Sequence, residues 1–248
     1  MKIAVLSDLH LRNPKSQIAM NLVDLLKKFR REGVTELWFL GDVFDLLVGP
    51  FSFWVDYYAE FFEELNTLGR AGCKVLWLEG NHDFFIEELL KPFGVRVHDG
   101  DLDLEYFGRR FFLAHGDLVN ESDEAYLRWR KATRSPVYRG LLARVPEFIV
   151  KKLLWPLGNR LSSSSRQKNR SSHGDLAQMY RAFAVKKFKE GYSGVFMGHV
   201  HIEDLFAGEN GQFYLNLGSG IDGSLRSGLW DPSSKDFPKV SMYSKIEG

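Results

Sequence analysis

The chain has 248 residues, of which 44% are hydrophobic, and its formal net charge at neutral pH is +1. This length is enough to bury one substantial core, and the single cysteine, Cys73, excludes a disulfide framework and a thiolate zinc or iron–sulfur site. The N-terminus has no signal-peptide pattern, and no apolar run approaches the roughly 20 residues of a membrane span, so we expect a cytoplasmic protein that is soluble or peripheral on a membrane.

Alternating strand and helix patterns occupy the first 115 residues. Apolar or β-branched runs predict strands at 3–6, 37–40, 75–78 and 111–114. Helical spacing of apolar residues predicts helices at 16–31 and 52–68, and Gly33 is placed to end the first of them. The second is rich in aromatic residues, which we expect to pack in the core. The alternative is that Trp54 and Tyr58 line an apolar ligand groove.

The segment 121–172 interrupts this alternation, and we predict that it is a helical cap inserted in a single domain of residues 1–248. Helical stretches near 123–133, 137–144 and 147–157 are broken by Pro136, Pro146 and Pro156. Between 125 and 172 there are twelve Lys or Arg residues and one acid, Glu147, so this stretch carries +11. Apolar residues lie among these cations. They suit an anionic membrane surface, or a cap that packs on its own domain with a solvated basic face, and the two are compatible.

Strand patterns return after the insertion. They extend over 194–217, with a turn at 208–211, and a last strand is predicted near 240–243. A hairpin is also predicted before the insertion, with arms at 102–106 and 110–113 and its turn at Gly108. The chain as a whole therefore predicts a layered α/β or α+β domain.

Five short segments combine Asp, Asn and His, and each follows an apolar run that is predicted to be a strand. They are Asp8-Leu9-His10, Gly41-Asp42, Gly80-Asn81-His82-Asp83, His115-Gly116-Asp117 and Gly198-His199-Val200-His201. Carboxylate, amide and imidazole groups are ligands for Mn, Fe, Zn or Co, and a set of them at strand ends is what a two-metal hydrolytic centre needs. Taken singly, each segment is better explained as a polar turn or a packed histidine. Their shared placement favours the metal centre.

The spacing within the segments indicates how the ligands converge. On an extended chain, residues two apart share one face, so Asp8 and His10 are expected to converge on one ion. The same argument applies to His199 and His201. Two ions about 3.5–4 Å apart need a shared ligand, and the candidate is Asp42, which follows a strand and a small glycine.

In their order along residues 8 to 201, the five segments resemble the motifs of the calcineurin-like metallophosphoesterases: Asp-X-His, Gly-Asp, Gly-Asn-His-Asp or Glu, His, and Gly-His-X-His. The resemblance implies an α/β (α+β) four-layer sandwich, with two mixed β-sheets flanked by helices and the cap as an insertion. It also implies two divalent metal ions, for which we expect Mn²⁺, with Fe, Zn or Co compatible. One ion would be held by Asp8, His10, Asp42 and His201, and the other by Asp42, Asn81, His115 and His199.

The same resemblance implies catalytic roles for the Gly-Asn-His-Asp segment. His82 would lie beside the leaving group as an acid or charge stabiliser, and Asp83 would orient it. Asn81 would stabilise charge that develops on the phosphoryl group. Two cations lower the pKa of a bound water and clamp phosphoryl oxygens, so the expected reaction is in-line attack on phosphorus.

The sequence after His115-Gly116-Asp117 continues through Asp123, Tyr126 and Arg130, and there it resembles the UDP-2,3-diacylglucosamine hydrolases of lipid A synthesis. In those enzymes a helical cap clamps the acyl chains and the glucosamine above the metals. The resemblance implies release of UMP and 2,3-diacylglucosamine 1-phosphate, by an enzyme that is peripheral on the cytoplasmic face of the inner membrane. Substrate contacts are implied for Asn81, His82, Asp123, Ser164, Lys168 and His199.

One residue departs from this subfamily, because its best-known members have Arg where this chain has His82. The departure leaves open a related enzyme that acts on another lipid-linked or small phosphoester. A protein phosphatase or a cyclic-nucleotide phosphodiesterase has no need of the basic, apolar insertion. A nuclease is disfavoured because the apolar residues of the insertion are mostly aliphatic rather than stacking aromatics, so no nucleic-acid partner is expected. A metal-free scaffold is disfavoured because every expected ligand position is filled.

Overall fold

The computed structural model describes residues 1–155, 173–220 and 223–243. Its strands are β1 (Ile3–Leu6), β2 (Glu36–Phe39), β3 (Leu47–Val48), β4 (Lys74–Leu78), β5 (Asp83–Phe84), β6 (Val95–His98), β7 (Leu102–Tyr106), β8 (Arg109–Leu113), β9 (Tyr192–Phe196), β10 (Glu203–Ala207), β11 (Phe213–Leu217), β12 (Leu225–Trp230) and β13 (Lys239–Tyr243). Its α-helices are α1 (Gln17–Arg31), α2 (Phe53–Tyr57), α3 (Ala59–Arg70), α4 (Glu87–Leu90), α5 (Glu124–Thr133), α6 (Pro136–Leu142), α7 (Glu147–Ile149) and α8 (His173–Lys189). Lys91–Phe93 and Glu209–Gly211 are 3₁₀ turns, and Val150–Leu154 continues α7 as a π-helix.

Two mixed sheets form the centre of the fold. The first has six strands in the order β13-β12-β1-β2-β4-β6, and the second has five in the order β10-β11-β9-β8-β7. Parallel pairing joins β1, β2, β4 and β6 in the first sheet and β8, β9 and β11 in the second. Antiparallel pairing adds β12 and β13 to the first sheet and β7 and β10 to the second. The parallel strands of each sheet therefore end on one edge.

The alternation of side chains along the strands stacks the two sheets face to face. On β1, Ile3 and Val5 pack in a cluster that the second sheet shares. Ala4 and Leu6 pack on the opposite side, in a cluster shared with α1 and α3. A third cluster joins the outer face of the second sheet to α8 through Tyr180. The layers run helix, sheet, sheet, helix, which confirms the predicted four-layer α/β sandwich.

The helix predicted at 52–68 is two helices, α2 and α3. The break falls at Tyr58, whose φ of −108° and ψ of 39° leave the helical region. Its hydroxyl donates to the Leu11 carbonyl oxygen at 3.0 Å, so a contact distant in sequence fixes the ring at the break. Trp54 and Tyr58 are 1% and 2% exposed, which confirms that they pack in the core rather than line a groove.

The insertion after β8 forms α5, α6 and α7, close to the predicted positions. It packs on α2, where the Glu147 carboxylate accepts the backbone N–H groups of Ser52 and Phe53, each at 3.1 Å. The Trp155 ring lies edge-on to that of Trp54, with centroids 5.3 Å apart. The described part of the insertion is therefore seated on the body of the protein.

The predictions for Ser164 and Lys168 lie outside the described residues. Within the described residues, no helix combines the length and the apolar character that crossing a bilayer requires.

Candidate metal centre

All five motifs lie at the carboxyl ends of parallel strands, where the two sheets meet. Asp8 and His10 follow β1, Asp42 follows β2, Asn81 and His82 follow β4, His115 follows β8, and His199 and His201 follow β9. In open α/β sheets, ligands bind in the crevice beyond these strand ends. Stacking the sheets therefore brings together residues that are spread over most of the sequence.

The first group of donor atoms belongs to Asp8, His10 and His201. The Nε2 atoms of His10 and His201 are 2.9 Å apart, and His201 Nε2 is 3.6 Å from Asp8 Oδ1. Both Asp8 oxygens also accept the His199 backbone N–H, at 2.9 and 3.0 Å, which fixes the carboxylate. Three donor atoms thus face one small space.

The second group belongs to Asp42, His115 and His199. The Asn81 amide oxygen joins it, at 3.0 Å from His115 Nε2 and 3.0 Å from His199 Nδ1. His115 Nδ1 lies 2.8 Å from the Leu40 carbonyl oxygen. When neutral His115 donates a hydrogen bond from Nδ1–H to that carbonyl, the Nε2 atom is unprotonated and its lone pair is directed into the group. This arrangement is usual for a metal-binding histidine.

Asp42 lies between the two groups. Its Oδ2 is 4.0 Å from His10 Nε2 in the first group and 3.5 Å from His115 Nε2 in the second. Its Oδ1 accepts the His82 backbone N–H at 2.8 Å. A carboxylate in this position fits the bridging role that the sequence predicts.

His199 and His201 belong to different groups, so the expectation that they converge on one ion is wrong. That expectation assumed an extended chain, whereas φ is +71° at His199 and +57° at His201. Asp8 and His10 do share a group, yet their φ values, 51° and 49°, are also left-handed.

Left-handed backbone is concentrated at the predicted ligands. Of the eight non-glycine residues with positive φ in the described ranges, five are predicted metal ligands: Asp8, His10, Asp42, His199 and His201. Such conformations cost about 1–3 kcal/mol each, although Asp and His tolerate them better than most residues. The strand ends turn sharply to aim these side chains, and such strain is typical of a functional site.

Two motif glycines are required because the ligands approach their backbone closely. A Cβ atom on Gly80 would collide with Asp42 Oδ1, and one on Gly198 would collide with Asp8 Oδ2. Both carboxylates are held by backbone N–H groups, so moving them away would break these hydrogen bonds. A glycine is therefore required before Asn81 and before His199, because any side chain there would collide with a ligand carboxylate.

Burial and mutual contact shift the ionisation of the ligand groups. Burial raises the pKa of Asp8 to about 7 and lowers that of His199 to about 4. Burial also opposes ionisation of Asp42, but His115 holds the pKa of this carboxyl well below its usual range. Burial would lower the pKa of His115, but the charge of Asp42 and a hydrogen bond to it raise that pKa to about 10. Shifted groups clustered in one crevice are typical of a functional site.

The donor set fits two divalent cations. It combines carboxylate, amide and imidazole groups without thiolate, which suits Mn, Fe, Zn and Co. Imidazole nitrogens face one another or an amide oxygen at 2.9 to 3.0 Å, so their lone pairs converge on common points. A cation at each point would satisfy them, and binding would displace the protons that the ligands carry.

His82 lies at the open side of the centre, with its side chain 22% exposed. Its Nδ1 is 2.7 Å from the Asp45 carbonyl oxygen, and its Nε2 is 4.0 Å from Asp42 Oδ2. When Nδ1–H donates to that carbonyl, Nε2 is the nitrogen on the side of the metal ligands. This position is compatible with the predicted contact with a leaving group.

The predicted orientation of His82 by Asp83 is wrong. The buried Asp83 carboxylate accepts three backbone N–H groups at 2.8 to 2.9 Å, those of Asp42, Val43 and Gly80. It therefore ties the Gly-Asp loop to the Gly-Asn-His-Asp loop. The ring of His82 is held instead by the Asp45 carbonyl.

The sequence analysis did not identify Asp45, which forms a third cluster with His10 and His82. Asp45 Oδ1 is 3.7 Å from His10 Nδ1, and Oδ2 is 2.8 Å from Arg12 Nε. The 3.7 Å separation from His10 Nδ1 is too long for a hydrogen bond, so Asp45 is an electrostatic neighbour of that ring. Because the Arg12 guanidinium already faces Asp45, we do not assign Asp45 to a third ion. The only hint in the sequence that Asp45 belongs near the site was its position three residues after Asp42.

Helix α5 borders the second group. The Tyr126 hydroxyl donates to Asp117 Oδ2 at 2.7 Å, and Arg130 Nε donates to the same oxygen at 2.6 Å. The Tyr126 ring lies 6.0 Å from that of His199. Asp123, a predicted substrate contact, is the N-cap of α5 and accepts the Tyr126 N–H at 3.0 Å. The contact of Asp123 with a sugar stays a prediction.

Comparisons with known proteins identify the family. Residues 1–203 match the family model described as calcineurin-like phosphoesterase. A UDP-2,3-diacylglucosamine hydrolase of Pseudomonas fluorescens is 27% identical over 221 residues, which cover 87% of this chain and 86% of that protein. A protein of the same name from Stenotrophomonas maltophilia is 30% identical over 184 residues, which cover 72% of this chain and 70% of the relative. The solved structure of an archaeal phosphodiesterase, 16% identical, has a TM-score of 0.52 and covers 98% of this chain and 100% of its own, and it supports the fold alone.

The chain belongs to the calcineurin-like phosphoesterase family. It is a metal-dependent hydrolase of phosphoester bonds, since the family, the names of the relatives and the clustered donors agree. The predicted resemblance is confirmed.

Proposed function

We propose that the protein hydrolyses the pyrophosphate bond of UDP-2,3-diacylglucosamine to UMP and 2,3-diacylglucosamine 1-phosphate. The observation that carries this proposal is the apolar, basic insertion, whose first helix, α5, borders the metal centre through Tyr126. Relatives named for this activity align over most of the chain, which supports the same substrate class. In this proposal the cap is segment 121–172 of a single domain, 1–248.

Helices α5 to α7 and the π-helix expose much of the protein's apolar surface. Of the twelve exposed large hydrophobic side chains among the described residues, six lie between 129 and 153. These six are Trp129, Val137, Tyr138, Leu141, Phe148 and Leu153, and we call them the cap patch. Exposed cations in the same segment are Lys131, Arg139, Arg144, Lys151 and Lys152. Apolar surface among cations suits a ligand with acyl chains and phosphate, and the anionic membrane that holds it.

The proposed chemistry gives each donor group a task. Asp8, His10, Asp42 and His201 would hold one ion, and Asp42, Asn81, His115 and His199 the other. When bound, the ions, which we propose are Mn²⁺, would supply an activated water and neutralise phosphoryl charge. A water oxygen forms a bond to the α-phosphorus, and the bond to the bridging oxygen breaks, so that this oxygen leaves with the sugar phosphate. His82 and Asn81 stabilise the charge that develops on the leaving and phosphoryl oxygens.

The metal-reconstituted enzyme is expected to prefer UDP-2,3-diacylglucosamine over an aryl phosphate, a cyclic nucleotide and single-stranded DNA. The matched control is UDP-N-acetylglucosamine, which keeps the pyrophosphate but lacks the long acyl chains. Burial of only four methylene groups, at about 0.8 kcal/mol each, corresponds to roughly 200-fold in kcat/KM between the two. In ¹⁸O-labelled water, attack at the α-phosphorus would place the label in UMP.

Two outcomes of these assays would contradict the proposal. Label in the sugar phosphate would move the attack to the β-phosphorus. Similar kcat/KM values for UDP-2,3-diacylglucosamine and the aryl phosphate would overturn the substrate assignment and leave only the phosphoesterase activity.

We also propose that the enzyme docks on the cytoplasmic face of the inner membrane through the cap patch. Charge reversal at Lys151 and Lys152, which are exposed beside Phe148 and Leu153, is expected to weaken binding to anionic vesicles. Each cation near such a surface contributes about 1 kcal/mol, so the loss of two lowers affinity by roughly 30-fold, and the two added negative charges lower it further. Hydrolysis of a soluble aryl phosphate should hardly change.

The control for docking is the same charge reversal at Lys235 and Lys239, which are exposed far from the cap in sequence. It tests whether net charge alone explains vesicle binding. If reversal at Lys151 and Lys152 leaves binding equal to that of the parent, this face is not the docking surface.

The alternative function is hydrolysis of another phosphomonoester or phosphodiester by the same centre. His82 favours it, since it stands where the best-known lipid A hydrolases have arginine. The substrate comparison above separates the two functions.

A further inference from the structure

We infer that Arg134 is a positioning residue that couples the cap to the loop carrying Asn81 and His82. Arg134 directly follows α5 as its C-cap residue, and its side chain is 7% exposed. The inference concerns catalysis at the metal centre with any phosphoester. It therefore does not depend on the proposal that the substrate is UDP-2,3-diacylglucosamine.

The Arg134 guanidinium binds the point where β4 passes into the catalytic loop. Nη1 is 2.5 Å from Glu79 Oε2, and Nη2 donates to the Gly80 carbonyl oxygen at 2.5 Å. The guanidinium carbon lies 4.2 Å from the centre of the Phe84 ring. The charge, two nitrogens and one face of the group are therefore occupied by the protein, which favours a positioning role over direct contact with a phosphate.

These contacts fix the peptide group in front of Asn81. The Gly80 carbonyl lies in the peptide plane that joins Gly80 to Asn81, so the bond from Arg134 sets the direction in which the chain enters Asn81. The Gly80 N–H is fixed in turn by Asp83 Oδ1 at 2.9 Å. A rotation of this segment would move the Asn81 amide oxygen away from the two imidazoles that it faces at 3.0 Å.

Glu79 extends the same support to the far end of the loop. While Oε2 meets Arg134, Oε1 accepts the Ile86 N–H at 3.0 Å. The Glu79 N–H donates to the His98 carbonyl oxygen on the neighbouring strand β6 at 2.9 Å. The loop that carries Asn81 and His82 is thus closed by one carboxylate, and that carboxylate is held from the cap.

A buried ion pair of this kind determines geometry more than it adds net stability, because desolvation offsets most of the attraction. Arg134 and Glu79 are 7% and 4% exposed at the side chain. The pair joins a helix of the insertion to a loop of the metal centre, so its geometry is passed directly to the ligands. This predicts a loss of catalysis that stability does not explain.

The first test replaces Arg134 by Gln and by Lys and measures kcat, KM, melting temperature and Mn²⁺ retained after dialysis, with a soluble aryl phosphate. Partners that orient metal ligands typically contribute 10–100-fold to affinity or activity. We expect Arg134→Gln to lower kcat, Mn²⁺ affinity, or both by about 10–100-fold, with KM within about twofold. Arg134→Lys keeps the charge beside Glu79 but loses the planar two-pronged contact, so a clear loss is expected there too.

The matched control is Arg128→Gln, on the same helix, where an exposed Arg128 pairs with Glu124 at 3.0 Å. It removes the same group from α5 and should leave kcat and Mn²⁺ retention at the parent values. Parental kcat and Mn²⁺ retention in both Arg134 variants would overturn the inference.

The second test separates positioning from stability. The double variant Glu79→Met with Arg134→Met leaves no uncompensated buried charge, so its melting temperature should recover relative to Glu79→Met or Arg134→Met alone. We expect kcat on the aryl phosphate to stay low, because the contact with the Gly80 carbonyl remains absent. If kcat recovers together with the melting temperature, the pair has only a structural role and the inference is wrong.

Discussion

Replacement of Asp42 by alanine will abolish hydrolysis and metal loading together. Asp42 Oδ2 lies 4.0 Å from His10 Nε2 and 3.5 Å from His115 Nε2, so its loss takes a ligand from both proposed ions. It also removes the acceptor of the His82 backbone N–H. We expect kcat on a soluble aryl phosphate to fall by about 10⁴-fold. Losses of this size are typical when one member of a set of cooperating catalytic groups is removed.

Metal analysis and thermal melting give independent measurements of the same change. A hundredfold excess of Mn²⁺ over its dissociation constant stabilises a folded protein by about 2.7 kcal/mol, a gain that Asp42→Ala should lose. The control is Asp56→Ala, an exposed position on α2, which should keep both ions and full activity. Two full equivalents of metal in Asp42→Ala would exclude the bridging assignment.

Metal loading should also weaken as the pH falls. In the metal-free protein the charge of Asp42 opposes the effect of burial and raises the pKa of His115 to about 10. At neutral pH the Nε2 atom of His115, which faces the metal group, therefore also carries a proton. An ion must displace that proton, and each fall in pH makes the displacement harder. The effect belongs to metal binding and comes in addition to any titration of the substrate.

The layers of the fold could be predicted because strands that are buried on both faces consist of short apolar runs in the sequence. The strand predicted at 3–6 is β1, and those predicted near 37–40 and 75–78 are β2 and β4. The prediction of one continuous helix at 52–68 was wrong, because the helix is interrupted at one residue. Tyr58 leaves the helical region, and its hydroxyl bonds the Leu11 carbonyl, a contact between segments that no local pattern contains.

The donor atoms of the site could be predicted from the motifs, but not how they are grouped. The grouping depends on left-handed turns at the strand ends, so His199 and His201 face different neighbours although they are two residues apart. Side-chain bonds to backbone are equally hidden in the sequence. Asp83 therefore has a role in joining loops that its place in the motif does not reveal.

The insertion shows how a single exception in a charge pattern has a structural reason. Glu147 is the one acid among twelve cations in the stretch from 125 to 172. Its carboxylate accepts hydrogen bonds from Ser52 and Phe53 at the start of α2, where N–H groups lack helical partners.

Replacement of His82 by alanine will slow turnover by roughly 10²–10⁴, the range for a group that stabilises charge on a leaving oxygen or protonates it, and both metals will be retained. The side chain lies at the open side of the centre, and its Nδ1 is held by the Asp45 carbonyl at 2.7 Å, so Nε2 can face the leaving oxygen. The matched control is His98→Ala, since His98 contacts the Asp101 carbonyl and lies outside the motifs. Unchanged kcat in His82→Ala would exclude His82 from the chemistry.

Replacement of His82 by arginine tests whether His82 acts through its positive charge or by transferring a proton to the leaving group. Arginine keeps a positive charge at all working pH values and cannot pass a proton to a leaving group. If His82 acts as a fixed charge, His82→Arg retains much of the activity on UDP-2,3-diacylglucosamine. If His82 donates a proton, His82→Arg falls toward the rate of His82→Ala. We expect partial retention, because the subfamily that the sequence resembles has arginine where this chain has His82. Activity no higher than that of His82→Ala would assign proton transfer to His82 instead.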